Sequence, residues 1–236
     1  MSLQQQQTIE KNLREAFDFE RLRTSLDQET YDLASNSLKE KTYKKGECIF
    51  DDGEFPKGVY FITKGTIKLS KSGTFGKDQI LRFIKEGDLV GYRSILSGED
   101  FQARAEAMND VSATFVPAAV FLKLLEEDPK ISYAMLQKIA YELGESSKTI
   151  TFLAQKTVRE RLAEVLLLLE HKLGADQEGY IKISLTREEI ANLVGTATES
   201  AIRLISEFKS DKLIQTDGRK IKIINHEKLR KLAHVQ

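Results

Sequence analysis

Residues 186–224, TREEIANLVGTATESAIRLISEFKSDKLIQTDGRKIKII, hold two helix starts, a glycine between them and a short hairpin. Thr186 followed by Glu189 is a capping box, in which each side chain satisfies a backbone N–H of the other residue, and Thr196 with Glu199 repeats the pattern. Two helices therefore begin about ten residues apart. Gly195 permits the left-handed turn between them, and the small Ala191 lets them cross closely near Ala201 and Leu204. This is a helix-turn-helix pattern. On the second helix Ala201, Leu204, Ile205 and Phe208 share one face, leaving Thr198, Glu199, Ile202, Arg203 and Ser206 on the other.

The outward face carries groups that the DNA major groove can use. An arginine donates twice to guanine O6 and N7, a glutamate accepts from cytosine N4, and an aliphatic side chain touches a thymine methyl. Thr198, Glu199, Ile202 and Arg203 are accordingly the candidate base-contacting residues. Thr186, Ser200 and Lys209 are placed to fix register on phosphates. Beyond them, Leu213-Ile214-Gln215, the turn Asp217-Gly218 and Lys220-Ile221-Lys222-Ile223 read as a hairpin whose Arg219, Lys220 and Lys222 form a basic wing for the DNA backbone. Any one of these residues fits a solvated helix face equally well. Their coincidence points to DNA.

Working outward, the 236 residues have room for two ordinary domains. Apolar content of 41% and charge of 31% suit a soluble globular chain. No run of 18 apolar residues offers a membrane span, and no secretory signal precedes the charged N-terminus, so a cytoplasmic protein with no membrane partner is expected. Net charge is zero overall, but residues 155–236 carry 15 Lys and Arg against 12 Asp and Glu, a mild basic excess suited to a polyanion. The single Cys48 rules out an intrachain disulfide framework and a cysteine-ligated metal held by one subunit, and no cofactor is expected. Met1-Ser2-Leu3 reads as an expression remnant and Gln4 to Gln7 as a disordered start.

From about Leu38 to Pro117, short apolar runs punctuated by glycine alternate with period two, as at Val59/Phe61 and Ile67/Leu69. That pattern predicts an antiparallel sandwich or barrel. After Pro129 a glycine-poor helix carries Leu136, Ile139, Leu143, Ile150 and Leu153 at heptad spacing, interrupted at Ser146 and Ser147. The seam can pack on its own β domain or on an identical helix across a twofold axis, and we favour the dimer because it outlasts one domain's needs. A further helix carries Glu160 to Lys172. The expected fold class is α+β, with a sensor β roll over 1–128, a dimerisation helix over 129–156 and a winged helix-turn-helix over 157–236.

In this order of parts, and in LTREEIANLVGTATESAIRLISEF, the chain resembles the Crp/Fnr family of bacterial transcription regulators over nearly its whole length. The resemblance implies a cyclic-nucleotide-binding-type roll, a homodimer on a palindromic DNA site with recognition helices roughly 34 Å apart, and RNA polymerase as a partner. It also implies that Glu199 and Arg203 read bases, since relatives use a glutamate and an arginine four positions apart. The cyclic-AMP-binding branch has a further arginine where this chain has Thr198, which leaves the outer bases of the site open.

The same resemblance aligns GDLVGYRSILSGEDFQA, residues 87–103, with the family's phosphate-binding loop. Cyclic-AMP receptors carry a glutamate and an Arg-Ser pair there, and the matching positions here are Tyr92, Phe101 and Gln102, in a loop one residue shorter. A buried phosphate needs a cation or many donors, and Phe101 supplies neither. Arg104 should lie opposite the inward row Ala103, Ala105, Ala107. The pocket candidates are therefore Gly91, Tyr92, Arg93, Phe101, Gln102 and Ala103, together with Ser146 and Ser147, which match adenine-contacting positions of those relatives or equally are polar defects in the seam. Cluster and haem sensing are disfavoured, because the oxygen-sensing branch uses several N-terminal cysteines and His171, His226 and His234 all lie beyond the roll.

The expected function is a homodimeric DNA-binding regulator, not an enzyme, whose roll responds to a small molecule other than cyclic AMP, if to any. The alternative is a ligand-binding module whose helix-turn-helix packs on a protein partner without binding DNA. Enzymatic chemistry lacks support, since the roll has no histidine and no acid and base at convincing spacing.

Overall fold

The computed structural model describes residues 3–73 and 76–235. Three helices come first: α1 (Leu3–Ala16), α2 (Phe19–Ser25) and α3 (Gln28–Ser37). Asp18 caps α2 by accepting from the Arg21 N–H, and Asp27 caps α3 by accepting from the Thr30 N–H. The glutamine run expected to be disordered lies instead within α1, whose Leu13 and Ala16 are buried further along. Met1 and Ser2, the start of the supposed remnant, lie outside the described residues.

Eight strands build the roll: β1 (Lys39–Tyr43), β2 (Cys48–Phe50), β3 (Gly58–Lys64), β4 (Thr66–Ser72), β5 (Asp78–Lys85), β6 (Leu89–Val90), β7 (Arg104–Ala107) and β8 (Val111–Pro117). They form two four-stranded sheets, β1-β8-β3-β6 and β2-β7-β4-β5. The pairings are antiparallel, with Tyr60 opposite Phe115 and Leu69 opposite Ala105. Gly58 lets β3 lie close against β8, because a Cβ there would sit 2.3 Å from the Val116 carbonyl oxygen.

The alternation at Val59/Phe61 is real, but that row faces outward from the roll. Val59 and Phe61 pack with Leu13, Leu22, Phe121 and Leu124 of the surrounding helices, whereas Tyr60 and Ile62 fill the roll interior. Both faces of β3 are therefore apolar, because helices cover its outer side.

A short helix α5 (Ala118–Glu127) leads into α6 (Pro129–Gln155), whose Ile131, Ala134 and Met135 are buried among the helices of the first unit. After it come α7 (Val158–Leu173), α8 (Arg187–Val194), α9 (Thr198–Ser210), β9 (Ile214–Asp217), β10 (Lys220–Ile223) and α10 (His226–Ala233). The chain divides into two compact units within α6, between Glu145 and Ser146, with residues 73–80 grouped with the second. Leu162, Leu166, Ile190, Val194, Leu204 and Phe208 are among the buried side chains of the second unit. Among the described residues no helix is long and apolar enough to cross a membrane.

Candidate nucleic-acid interface

Helix α8 starts as the sequence requires. Thr186 Oγ1 accepts from the Glu189 N–H at 3.0 Å, and Glu189 Oε2 accepts from the Thr186 N–H at 2.9 Å. Gly195 ends the helix at φ +70°, in the left-handed region that favours glycine. The second capping box does not form. The Thr196 N–H donates back to the Ala191 carbonyl, so Thr196 still belongs to the closing turn of α8, and α9 starts two residues later behind Ala197, which has no capping side chain.

On α9 the two faces separate as the periodicity predicts. Ala201, Leu204, Ile205 and Phe208 are buried, while Glu199, Ile202, Arg203, Ser206 and Lys209 are exposed and Thr198 and Ser200 are half-buried. Ile202, an aliphatic side chain, is 49% exposed between two charged residues. Arg203 is held by Glu207, with Nη1 2.8 Å from Oε1.

The wing is present with its turn shifted by one residue. Asp217 pairs with Lys220, so the connecting residues are Gly218 and Arg219 rather than Asp217-Gly218. Gly218 has φ +54° and Arg219 is not left-handed, which fits a turn with glycine at its first central position. Arg187, in the first turn of α8, donates from Nη2 to the Gly218 carbonyl at 2.9 Å and ties the wing tip to the helix-turn-helix. Burial lowers its pKa. Sequence inspection passed over Arg187 because its partner is a backbone oxygen 31 residues away.

The three wing cations differ. Arg219 and Lys220 are exposed, whereas Lys222 is half-buried and its Nζ donates to the Glu178 carbonyl at 2.7 Å. Both lysines lie over the Tyr180 ring, at 5.6 and 6.0 Å, and Lys220 also stands 4.0 Å from Asp176.

In the first unit the ligand-loop candidates adopt a frame of turns around an apolar interior. Gly91 (φ +92°) introduces the short helix α4 (Tyr92–Ser97). Tyr92 is buried among the helices, and burial together with the Glu142 carboxylate pushes its phenol above the ordinary range. Phe101 is buried and stacks on Phe50 at 3.9 Å, and Phe50 and Phe115 both pack against Tyr60. Aromatic rings thus occupy the roll interior. The Phe101 backbone is pinned at both ends, its carbonyl accepting from Gly53 and its N–H donating to Glu54.

Ala103, Ala105 and Ala107 face inward, while Gln102 is exposed and Arg104 pairs with Asp51 at 2.6 Å. Arg93 is a surface residue 3.3 Å from Glu99. Beside the loop, the buried Lys138 and half-buried Glu142 of α6 form a partly buried ion network: Lys138 contacts Asp88 and stands 2.8 Å from Glu142, which also pairs with Arg82. Burial alone would raise the Glu142 pKa, yet Lys138 and Arg82 more than offset it and hold the carboxyl at about 2. Ser146 and Ser147 are exposed residues of α6 in the second unit.

Along α6, Leu136 and Leu143 are 64% and 69% exposed, and Ile139 and Ile150 are exposed as well, while Leu153 is half-buried. Among the described residues, no group of three or more His, Cys, Asp or Glu side chains could hold a metal ion.

Comparison with known proteins agrees with this anatomy. Residues 40–128 match the family model of the cyclic nucleotide-binding domain, and residues 160–232 match the Crp-like helix-turn-helix domain. The chain is 29% identical over 201 residues to the fumarate and nitrate reduction regulatory protein of Vibrio cholerae, covering 84% of this chain and 79% of that one. It is 28% identical over 215 residues to the transcriptional activator protein Anr of Pseudomonas protegens, covering 89% and 86%. Among solved structures, FixK2 from Bradyrhizobium japonicum superposes with a TM-score of 0.72 at 26% identity, covering 83% of this chain and 96% of that one. The matched models and the relatives' names concern transcription regulation rather than catalysis.

Proposed function

Since the chain belongs to the Crp/Fnr family of transcription regulators and is a DNA-binding regulator of that type, we propose that it binds a palindromic operator as a homodimer and reads bases with Thr198, Glu199, Ile202 and Arg203. The observation that carries this reading is the exposed row Glu199, Ile202, Arg203 on a helix whose opposite face is fully committed to the core. Each member matches a major-groove edge: carboxylate to cytosine N4, methyls to thymine, guanidinium to guanine. Thr186, Ser200, Lys209, Arg219 and Lys220 contact phosphates. Lys222, already engaged by Glu178, contributes charge at longer range. The dimer forms along Leu136, Ile139, Leu143, Ile150 and Leu153; the first four are exposed and Leu153 is half-buried, and a second α6 would cover the exposed part of the stripe.

Functionally the chain keeps three parts, 1–128, 129–156 and 157–236, with the hinge between the last two near Ala154 to Thr157, where α6 stops and α7 begins. The roll does not take cyclic AMP. Phe101, at a position that the resemblance aligns with phosphate binding, is stacked on Phe50 and offers an anionic ligand no cation. An effector, if used, is less anionic; in the first unit its candidate contacts are Gly91, Tyr92, Arg93, Phe101, Gln102 and Ala103, and on α6 of the second unit Ser146 and Ser147 stay separate candidates. The regulator works in the cytoplasm and acts on RNA polymerase.

Equilibrium anisotropy with a fluorescent family-type palindrome tests the reading. Wild-type protein is expected to prefer the palindrome over a scrambled duplex, with affinity falling steeply as salt rises because phosphate contacts release counterions. Equal binding to both duplexes, or no salt dependence, overturns it. In parallel, a saturable thermal shift with cyclic AMP overturns the account of the roll.

A further inference from the structure

We infer that Glu207 is a positioning residue for base reading, a brace that fixes the direction of the Arg203 guanidinium and is itself fixed by Arg159. The inference rests on the assignment of Arg203 as a base-contacting residue. Glu207 uses both carboxylate oxygens: Oε1 accepts from Arg203 Nη1 at 2.8 Å, and Oε2 accepts from Arg159 Nη1 at 2.6 Å. Arg159 comes from the first turn of α7, a helix packed against α9. Its Nη2 donates to Asp211 Oδ2 at 2.8 Å, and its guanidinium lies 5.0 Å from the centre of the Phe208 ring, which is fully buried. A rigid core ring, a stacked guanidinium, a bidentate carboxylate and the reading arginine thus form one chain of contacts.

An isolated Glu or Arg at helical spacing of four on a surface would contribute little and swing freely. Here the carboxylate cannot follow the arginine, because Arg159 holds its other oxygen, so Arg203 must come to a fixed point. The guanidinium has five N–H donors. Glu207 engages one Nη1 hydrogen, which leaves enough donors in the same plane for two parallel bonds to guanine O6 and N7. The long side chain, 69% exposed, therefore reaches the groove with part of its rotamer freedom already removed. The four charges of the cluster cancel, so the brace adds no net attraction for phosphate. Its effect falls on discrimination and not on general affinity.

The test is in vitro selection from a duplex pool randomised over two inverted half-sites, with sequencing of bound DNA for full-length wild type, Arg203→Ala, Glu207→Gln and Arg159→Met. The base position at which Arg203→Ala loses preference identifies its contact. Glu207→Gln, nearly isosteric, is expected to weaken preference at that same position by roughly tenfold while other positions keep theirs, and Arg159→Met is expected to do the same to a smaller extent. Affinity for a scrambled duplex should hold or rise in Glu207→Gln, since a negative charge facing DNA is removed. Thermal midpoints measured alongside identify any variant whose fold has loosened. Full retention of preference in Glu207→Gln, or an even loss at every position, overturns the brace while leaving Arg203 as a base contact. Wild-type base preferences in Arg203→Ala overturn the base contact, and the brace falls with it.

Discussion

The ion network at Glu142 makes a quantitative prediction about the first unit. Glu142 belongs to α6, its partner Lys138 is buried and Arg82 half-buried, and its carboxyl is held at about 2 against an ordinary value of 4.5. The folded-state value lies below the unfolded one, so the stabilisation is complete above pH 4.5 and is lost as the pH falls toward 2. Integrated over that difference, the ionised carboxylate contributes about 3 kcal/mol at neutral pH. Glu142→Gln should therefore lower stability by about 3 kcal/mol at pH 7, since it leaves two cations with Asp88 as their remaining acid in the network. Down to pH 3.5 the wild type forfeits somewhat under half of this contribution, so its advantage over the variant should narrow accordingly. Urea unfolding of both proteins at pH 7, 5, 4 and 3.5, followed by far-UV circular dichroism, measures the difference directly. Other carboxylates titrate in the same range, but they are common to both proteins and cancel. A loss below about 1 kcal/mol at pH 7, or a difference independent of pH, refutes the assignment of Glu142 as an ionised, charge-compensated half-buried group.

Three further outcomes follow from other parts of the molecule. Phe101→Ala removes a buried ring stacked on Phe50 and should cost about 3–5 kcal/mol by urea unfolding; a cost under about 1 kcal/mol would mean that the roll interior is not packed as described. Leu143→Glu places a charge in the middle of the exposed α6 stripe and should yield a monomer by analytical ultracentrifugation, with operator affinity reduced at least tenfold; an unchanged dimer contradicts the assignment of the seam. Thr186→Ala removes the α8 cap and should lower the stability of the second unit by about 1 kcal/mol, and an unchanged unfolding midpoint argues against the capping box.

The sequence made the second unit readable for a specific reason: its determinants are local. A capping box at Thr186 and Glu189, a glycine at φ +70° and a 3.6-residue period on α9 all act within a few residues of one another. Where local signals compete, inspection fails. Thr196 and Glu199 satisfy the capping pattern on paper, but the Thr196 N–H is already committed to Ala191 in the preceding turn. The wing turn slipped by one residue because Asp217-Gly218 is a good turn pair, yet cross-strand register puts Asp217 opposite Lys220. A third capping box, Thr157 with Glu160 at the head of α7, was visible in the sequence and passed over.

Long-range chemistry was out of reach. That Phe101 could not compensate a phosphate was readable from its side chain, but its stacking on Phe50 joins residues 51 apart, and Arg159 meets Glu207 across 48. Nothing in either local sequence announces the partner. The N-terminal helices have local signals in Asp18 and Asp27, which cap α2 and α3, but the polar glutamine run ahead of them carries no apolar period to mark α1.

The account turns on Arg203 donating to a guanine in the major groove, and one measurement addresses that bond. Wild type and Arg203→Ala are titrated with a duplex selected by the wild-type protein, and with the same duplex in which the contacted guanines are replaced by 7-deazaguanine, which lacks the N7 acceptor. Wild-type affinity should fall roughly tenfold on the replacement, and the affinity of Arg203→Ala should not change. An equal fall in both proteins, or none in the wild type, contradicts the claim that this arginine reads the operator.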